Sequence, residues 1–265
     1  MFKGKLMASG GNAKTVKGDK LLQYETAIMY LAPYTSAGGT NVCPMAETAK
    51  CIEGCLNTAG RASMFASIPA ARIAKTRRYL TDRKQFLADL VADLERFVRY
   101  CERKGVKPAV RLNGTSDIQW ERGHMVTRCF AVPTADGTVK REQVFPSIMA
   151  AFPDVQFYDY TKIPQRIVRG NLPANYALTL SYSGANANYA HQVLMVAREF
   201  GANTAVVFRN KAAVARVLER GDWQGQPVLD GDETDMRFLD PQGGYVVALY
   251  AKGKAKQDCS GFVVD

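Results

Sequence analysis

The chain has 265 residues, of which 47% are hydrophobic and 23% are charged, as in ordinary globular proteins. These values exclude a disordered tail, a collagen-like repeat and a small disulfide scaffold. No run of about 18 apolar residues occurs and the N-terminus lacks a secretory apolar core, so we expect no membrane segment and a cytoplasmic protein. The 35 Lys and Arg residues outnumber the 25 Asp and Glu residues by ten, which favours an acidic partner, nucleic acid first.

The N-terminal residues differ in composition from the rest of the chain. Residues 1–20 are rich in glycine and lysine and predict a basic arm or a lead-in strand, whereas residues 21–265 predict a single domain. The run from Tyr24 to Tyr34 predicts a buried strand, and a glycine-rich loop follows it.

The clearest helix runs from Asp82 to Cys101, because its apolar residues fall on one face and Gly105 follows as a stop signal. Beyond this helix the predicted strands alternate with helices, the pattern of βαβ units with a parallel sheet. About six strands joined by right-handed crossovers indicate an α/β fold, a partial (βα)6 barrel of the TIM-like kind. The later predicted strands are 109–113, 155–160, 176–182, 204–209 and 244–250, and the later predicted helices are 144–152, 189–200 and 211–220.

Three of the six cysteines lie directly after the first predicted strand. Cys43, Cys51 and Cys55 have the spacing C-x7-C-x3-C. Good helix formers from Ala46 to Leu56 predict that Cys51 and Cys55 are i, i+4 neighbours on one helix face. We therefore expect the three thiols to meet at the carboxyl end of the first strand, where parallel βα folds carry their chemistry.

The cysteine group admits three interpretations. Grouped thiols of varied spacing are typical of an iron–sulfur cluster, and three thiolates leave one iron of a [4Fe–4S] cube open or bound by a distant fourth ligand, for which Cys259 is the candidate. Zinc, which needs four ligands and usually tight pairs, is the second interpretation. Buried apolar thiols are the third, and this is our prediction for Cys101 and Cys129.

A cysteine triad after the first strand of a βα protein resembles the radical-SAM superfamily. The resemblance implies that Cys43, Cys51 and Cys55 hold a [4Fe–4S] cluster and that S-adenosylmethionine binds its open iron. The spacing differs from the C-x3-C-x2-C of that superfamily. Residues 111–117, Arg-Leu-Asn-Gly-Thr-Ser-Asp, stand where its glycine-rich acidic motif follows the second strand.

The sequence also resembles a phage-encoded family called gene product eighty-eight. The resemblance implies a phage or prophage origin and supplies no activity. The similar segments are residues 41–61, including Cys-Leu-Asn-Thr-Ala-Gly-Arg, and residues 111–117, 158–162, 181–186 and 230–262.

Polar residues follow the later predicted strands, and such positions face the ligand at the mouth of a βα barrel. The loop from Ser181 to Asn186 precedes a helix, so its amides are placed to hold a phosphate or carboxylate. Ordinary solvent-facing turn residues are the alternative for each position. The candidates are Asn113, Ser116 and Asp117 after the second strand, Tyr158, Tyr160 and Lys162 after the third, Ser181, Ser183 and Asn186 after the fourth, and Arg209 after the fifth.

Two functions follow from these patterns. The first is an iron–sulfur protein with a radical-SAM-like barrel, an enzyme if the open iron binds S-adenosylmethionine or a substrate. The second is a nucleic-acid-binding protein with a structural metal closed by Cys259, because basic residues cluster within residues 3–20, 72–84 and 252–256. An acidic stretch, residues 230–235, is predicted to be a solvated turn in preference to a divalent-cation site.

Overall fold

A computed structural model describes residues 1–134 and 137–265, without the side chains of Arg61 and Ser63. Within these residues the chain forms a nine-stranded sheet, a two-stranded sheet and seven α-helices. The strands are β1 Met7–Ser9, β2 Tyr24–Met29, β3 Lys107–Arg111, β4 Val126–Thr134, β5 Gly137–Phe145, β6 Gln156–Thr161, β7 Tyr176–Ser181, β8 Thr204–Phe208, β9 Asp222–Trp223, β10 Gln226–Asp230 and β11 Val246–Tyr250. The helices are α1 Ala13–Leu22, α2 Ser67–Thr81, α3 Arg83–Lys104, α4 Ile148–Ala151, α5 Gln165–Val168, α6 Ala187–Phe200 and α7 Lys211–Arg220.

The large sheet is mostly parallel. Its strand order is β1-β2-β3-β6-β7-β8-β11-β10-β9, and only the edge strands β1 and β9 pair antiparallel to their neighbours. From β2 to β8 the spatial order follows the chain, so successive crossovers move in one direction across the sheet. The predicted α/β class with a parallel sheet is therefore confirmed. Strands β1 and β9 do not pair with each other in the described part of the chain, so the sheet is not a closed barrel.

One face of the sheet carries the helices α3, α6 and α7. Ala27, Val110 and Phe157 are register partners on β2, β3 and β6, and they pack in one hydrophobic cluster with α3. Tyr176 and Leu180 lie on the same face of β7, and Leu180 packs with α6 and α7 in a second cluster. Apolar residues at every second strand position thus build the core on one side.

The opposite face is covered by the segment between β10 and β11. The ring of Phe238 lies 5.2 Å from the rings of Tyr24 and Tyr158. Arg111 donates from Nη1 to Oδ2 of Asp235 at 2.6 Å, and Asp235 is only 4% exposed. The prediction of a solvated turn is therefore wrong for Asp235, because its carboxylate compensates the charge of a buried arginine.

Residues 1–22 contain β1 and α1, and a buried carboxylate attaches the lead-in segment to α3. The Asp93 side chain is fully buried and accepts backbone N–H bonds from Lys5 at 3.0 Å and Leu6 at 2.7 Å. It also accepts a bond from Met7 at 3.3 Å and pairs with Arg96 one turn along the helix. These charge-assisted bonds fix β1 beside β2.

The predicted helix over residues 144–152 is wrong for its first half. Val144 belongs to β5, which forms an exposed hairpin with β4, and the helix there is the short α4. Cys129, predicted as a core residue, lies exposed on β4. Every side chain of β5 except that of Phe145 is exposed, so the strand has no alternation of buried and exposed positions to mark it. No helix among the described residues is both long and apolar enough to cross a bilayer.

We expect Asp93→Ala to lower the free energy of unfolding by about 3 kcal/mol, because three backbone N–H donors, two of them buried, lose a charged acceptor. Urea unfolding monitored by circular dichroism measures the change, with exposed Glu102→Ala on the same helix as the control. Equal stability of the two variants would contradict the anchoring role of Asp93.

Candidate functional site

The cysteine loop, residues 43–57, carries Cys43, Cys51 and Cys55. It is built from turns, not from the predicted helix over residues 46–56. Its one helical turn ends at Lys50, which has a φ of 50°. Just beyond it, the N–H of Cys51 donates to the carbonyl of Ala46 at 3.2 Å. A left-handed residue together with this bond is the Schellman way of ending a helix. The prediction that Cys51 and Cys55 share a helix face is therefore wrong.

The three thiols nevertheless act on one another electrostatically. Burial raises the pKa of Cys43 to about 12, and Cys55 and Cys51 contribute to that rise. Burial also raises the pKa of Cys55, with a further contribution from Cys51. In this state the Cys43 and Cys51 thiols donate to the carbonyls of Thr115 and Ala46, and Cys55 Sγ accepts from the N–H of Asn57.

Lys162, which follows β6, places its ammonium group beside these thiols. Its Nζ donates to Oγ of Ser181 at 2.9 Å and lies 4.9 Å from the centre of the Phe262 ring. Burial is the largest effect on the pKa of Lys162 and lowers it, whereas the three cysteines and Asp117 each act to raise it. The carboxyl ends of β6 and β7 thus supply the cation and its hydrogen-bond acceptor, and the thiols that act on the pKa of this cation follow β2.

Asn113 and Ser116 form part of the framework behind this group. Oδ1 of Asn113 accepts from Oγ of Ser116, from the N–H of Ile118 and from Nε1 of Trp120, at 2.9 to 3.1 Å. Its amide nitrogen donates to the carbonyl of Ile118 at 2.9 Å and to Asp159 at 3.2 Å. Both candidates are buried, and their hydrogen bonds shape the loop after β3.

Asp117 ties the loops at the carboxyl ends of the strands together. It accepts from Nη1 of Arg166 at 3.0 Å, from Oγ1 of Thr161 at 2.9 Å and from the backbone N–H of Lys162 at 2.7 Å. The N–H of Asp117 donates to the carbonyl of Val42, which directly precedes Cys43. Asp117 therefore positions both the first cysteine and the lysine.

The loop from Ser181 to Asn186 uses its polar groups within the protein. Oγ of Ser183 donates to the carbonyl of Ala49 at 2.7 Å, which attaches this loop to the cysteine loop. Asn186 caps α6 by accepting from the N–H of Tyr189 at 3.0 Å, and the N–H of Gly184 donates to Gly261. The amides predicted to bind an oxyanion thus include that of Gly184, which already donates to a protein carbonyl.

Two further candidates lie away from the thiols. The ring of Tyr160 lies 5.0 Å from the guanidinium of Arg111, on the face covered by the segment that carries Asp235. Arg209 donates to Asp265 at 2.7 Å and to the carbonyl of Asp258 at 2.6 Å, so it fastens the C-terminal segment.

Cys259 lies on that C-terminal segment and is exposed. It lines a surface groove of about 580 Å³ together with Glu47, Lys50 and Gly54 of the cysteine loop. The two segments pack closely, since a Cβ added at Gly54 would lie 3.0 Å from the ring of Phe262. Cys259 is thus near the cysteine loop but on its outer side.

Arg72 is a site residue that sequence reasoning placed only in a basic cluster. It is 8% exposed, its guanidinium lies 4.7 Å from the centre of the Tyr30 ring, and its Nη1 donates to Oδ1 of Asn57 at 2.6 Å. The guanidinium also acts to lower the pKa of Cys55. No local pattern could have identified Arg72, because its burial comes from the packing of α2 against the cysteine loop.

Several basic residues of the predicted nucleic-acid-binding clusters bind groups of the protein itself. Lys75 donates to the carbonyl of Leu6, and burial lowers its pKa to about 8. Lys14 forms ion pairs with Asp232 and Asp235, and burial lowers its pKa to about 8. Nucleic-acid binding therefore stays a prediction that rests on the net charge of +10 and on the remaining exposed lysines.

Among the residues that the structure describes, no three His, Cys, Asp or Glu side chains converge in the way a single metal ion requires. The arrangement therefore offers three separate thiols, each of which acts on the pKa of Lys162. Such a set can bind a multinuclear cluster, with one metal atom at each thiol, or can remain protonated.

We expect iodoacetamide to alkylate Cys43 of the metal-free protein about a hundredfold more slowly at pH 8 than it alkylates exposed Cys129 and Cys259. The reason is that a thiol whose pKa is about 12 is almost fully protonated at this pH. Its rate should rise about tenfold per pH unit from pH 8 to pH 11. Peptide mapping by mass spectrometry measures the three rates, and a Cys43 rate equal to the other two would contradict the burial.

The sequence model of the family described as Gene product 88 matches residues 5–265. No curated protein and no solved structure matches the chain. The radical-SAM resemblance gains no support from these comparisons. Because the matched residues include nearly the whole chain, the protein belongs to the phage protein family Gene product 88.

Proposed function

We propose that the chain is an iron–sulfur protein in which Cys43, Cys51 and Cys55 hold a [4Fe–4S] cluster. The observation that carries the proposal is the position of Lys162, whose charged group is influenced by all three thiols. Its direct hydrogen-bond acceptor is the neutral Ser181. No described carboxylate forms an ion pair with its ammonium group, because Asp117 is engaged by the backbone of Lys162 and by Arg166.

The charges of the site fit a cluster of this kind. Thiols must lose their protons to bind metal, and the high pKa of Cys43 means that the buried thiolate needs a strong source of positive charge. Iron supplies most of that charge when bound, and the core of a [4Fe–4S] cluster with three thiolates keeps a net negative charge. Lys162 on one side of the thiols and Arg72 beside Cys55 offset it.

A cluster agrees better with the donor arrangement than a zinc ion does. Zinc draws four ligands to about 2.0–2.3 Å from one point, whereas a cubane binds each thiolate at a different iron. The described residues contain no group of three donors suited to one ion. Three thiols with a cation on one side of them are consistent with a cluster that keeps one iron free of protein ligands.

The fold supports the same interpretation. From β2 to β8 the strand order follows the chain, with α3, α6 and α7 on one face, and this part of the sheet supports the proposal of an open (βα) barrel. The thiols follow the first parallel strand, at the end of the sheet where such folds carry their chemistry. We include in the proposal that the open iron binds S-adenosylmethionine or another substrate, and this part rests on the radical-SAM resemblance.

After anaerobic reconstitution we expect the protein to be brown and to contain about four irons and four sulfides per chain. Cys43→Ser, Cys51→Ser and Cys55→Ser should each lose most of the iron and the visible absorption. Exposed Cys129→Ser is the matched control and should keep both. A colourless protein with stoichiometric zinc would overturn the proposal.

Cys259→Ser separates an open cluster from a closed one. Because Cys259 is exposed on the outer side of the cysteine loop, we expect this variant to keep its cluster, which leaves an iron available for a ligand. Loss of the cluster would instead make Cys259 the fourth ligand and would favour a structural or electron-transfer role.

We expect Lys162→Met to shift the midpoint potential of the reconstituted cluster to a more negative value. Reduction adds a negative charge, and the mutation removes the cation that stabilises it. A redox titration monitored by electron paramagnetic resonance measures the shift. Lys20→Met, which removes an exposed charge from α1, is the control, and equal potentials in the two variants would refute the role of Lys162.

A further inference from the structure

Arg72 is a buried cation without an anionic partner among the described residues. Its Nη1 is bound by the neutral side chain of Asn57, and its face lies against the ring of Tyr30. Its buried Nε has no hydrogen-bond partner among the described residues. The groups that stabilise its charge are the phenol of Tyr30 and the thiol of Cys55, neither of which is a carboxylate.

The other buried arginines at the carboxyl ends of the strands are arranged differently. Arg111 pairs with Asp235 at 2.6 Å, and Arg166 pairs with Asp117 at 3.0 Å and with Glu121 at 2.8 Å. A buried guanidinium without such a partner is costly, because it has lost its hydration and gained no counter-charge. Arg72 thus differs from Arg111 and Arg166 in that no described carboxylate compensates its charge.

A second cation acts at the same place. Lys162 and Arg72 both act to lower the pKa of the Cys55 thiol, and Asn57, which binds Arg72, also donates its N–H to Cys55 Sγ. Lys75, one turn along α2, is a third positive charge nearby, because Arg72 acts to lower its pKa. Cys55, Asn57, Tyr30 and Lys162 are each partly exposed, so this cationic region is reached from solvent.

We propose that Arg72, with Lys162, binds the carboxylate or phosphate group of a small anionic ligand beside Cys55. An oxyanion held against the guanidinium of Arg72 would supply the missing counter-charge. The ligand is small because Arg72 is 8% exposed, which excludes the backbone of a nucleic acid from direct contact with it. This inference deepens the proposed function by naming the chemical class of the ligand that lies next to the thiols, while the anion site itself requires no cluster.

The test uses the full-length metal-free protein and two probes, inorganic phosphate and malonate. Isothermal titration is carried out at constant ionic strength with chloride as the balancing anion. We expect saturable binding of one probe or both, and the stronger of the two tells a phosphate ligand from a carboxylate ligand. Arg72→Gln should weaken that binding at least tenfold. Arg77→Gln, which removes an exposed charge from the same helix, should leave it unchanged.

Lys162→Met provides a second variant should Arg72→Gln fold poorly, and it should also weaken anion binding. Binding that is absent in the wild type, or equally strong in both site variants, would overturn the inference. This result is independent of the cluster, since reconstitution is measured separately. Anion binding without iron incorporation would refute the iron–sulfur proposal alone, and iron incorporation without anion binding would refute the anion site alone.

Discussion

The buried ion pair between Asp117 and Arg166 is the interaction on which the site depends. Arg166 has a fully buried side chain and also pairs with Glu121, so the charge of its guanidinium is balanced without water. Through Asp117 the pair reaches the backbone of Lys162 and, by a backbone bond, the carbonyl of Val42. One carboxylate thus links the residue before Cys43 to Lys162, whose charge acts on all three thiols.

A continuous set of buried polar groups supports this pair. Arg166 donates to the hydroxyl of Tyr176, which donates to Asp159, and Asp159 accepts the N–H of Asn113. Burial raises the pKa of Asp159 to about 6, the behaviour of a carboxyl group whose charge is compensated only by hydrogen bonds and distant cations. This buried network therefore supports the loops that carry the thiols. The groups left to contact a ligand are the thiols themselves, Lys162 and the guanidinium of Arg72.

The parts of the fold that depend on local periodicity were predictable. Helix α3 was evident from its apolar face, with Asp82 as the N-cap and Gly105 in the left-handed conformation at its end. Alternation of strands and helices after it predicted the parallel sheet. The hairpin β4–β5 was missed, because its second strand is exposed almost throughout, and α1 and α2 were missed, because their polar faces dominate. The turns of the cysteine loop were also missed, since helix propensity in a short segment yields to the left-handed Lys50 and to packing against the C-terminal segment.

The sequence by itself determined the fold class, the grouping of Cys43, Cys51 and Cys55 after the first strand, and the surplus of positive charge, because these follow from periodicity, spacing and composition. Only the tertiary structure decided which charged side chains lie close to one another. It set Lys162 beside the thiols, turned Arg72 and Lys75 inward, buried Asp235 against Arg111 and left Cys259 exposed. The physical reason is that the environment of a charge is set by residues far away in the chain, whose approach depends on how helices and loops pack over the sheet.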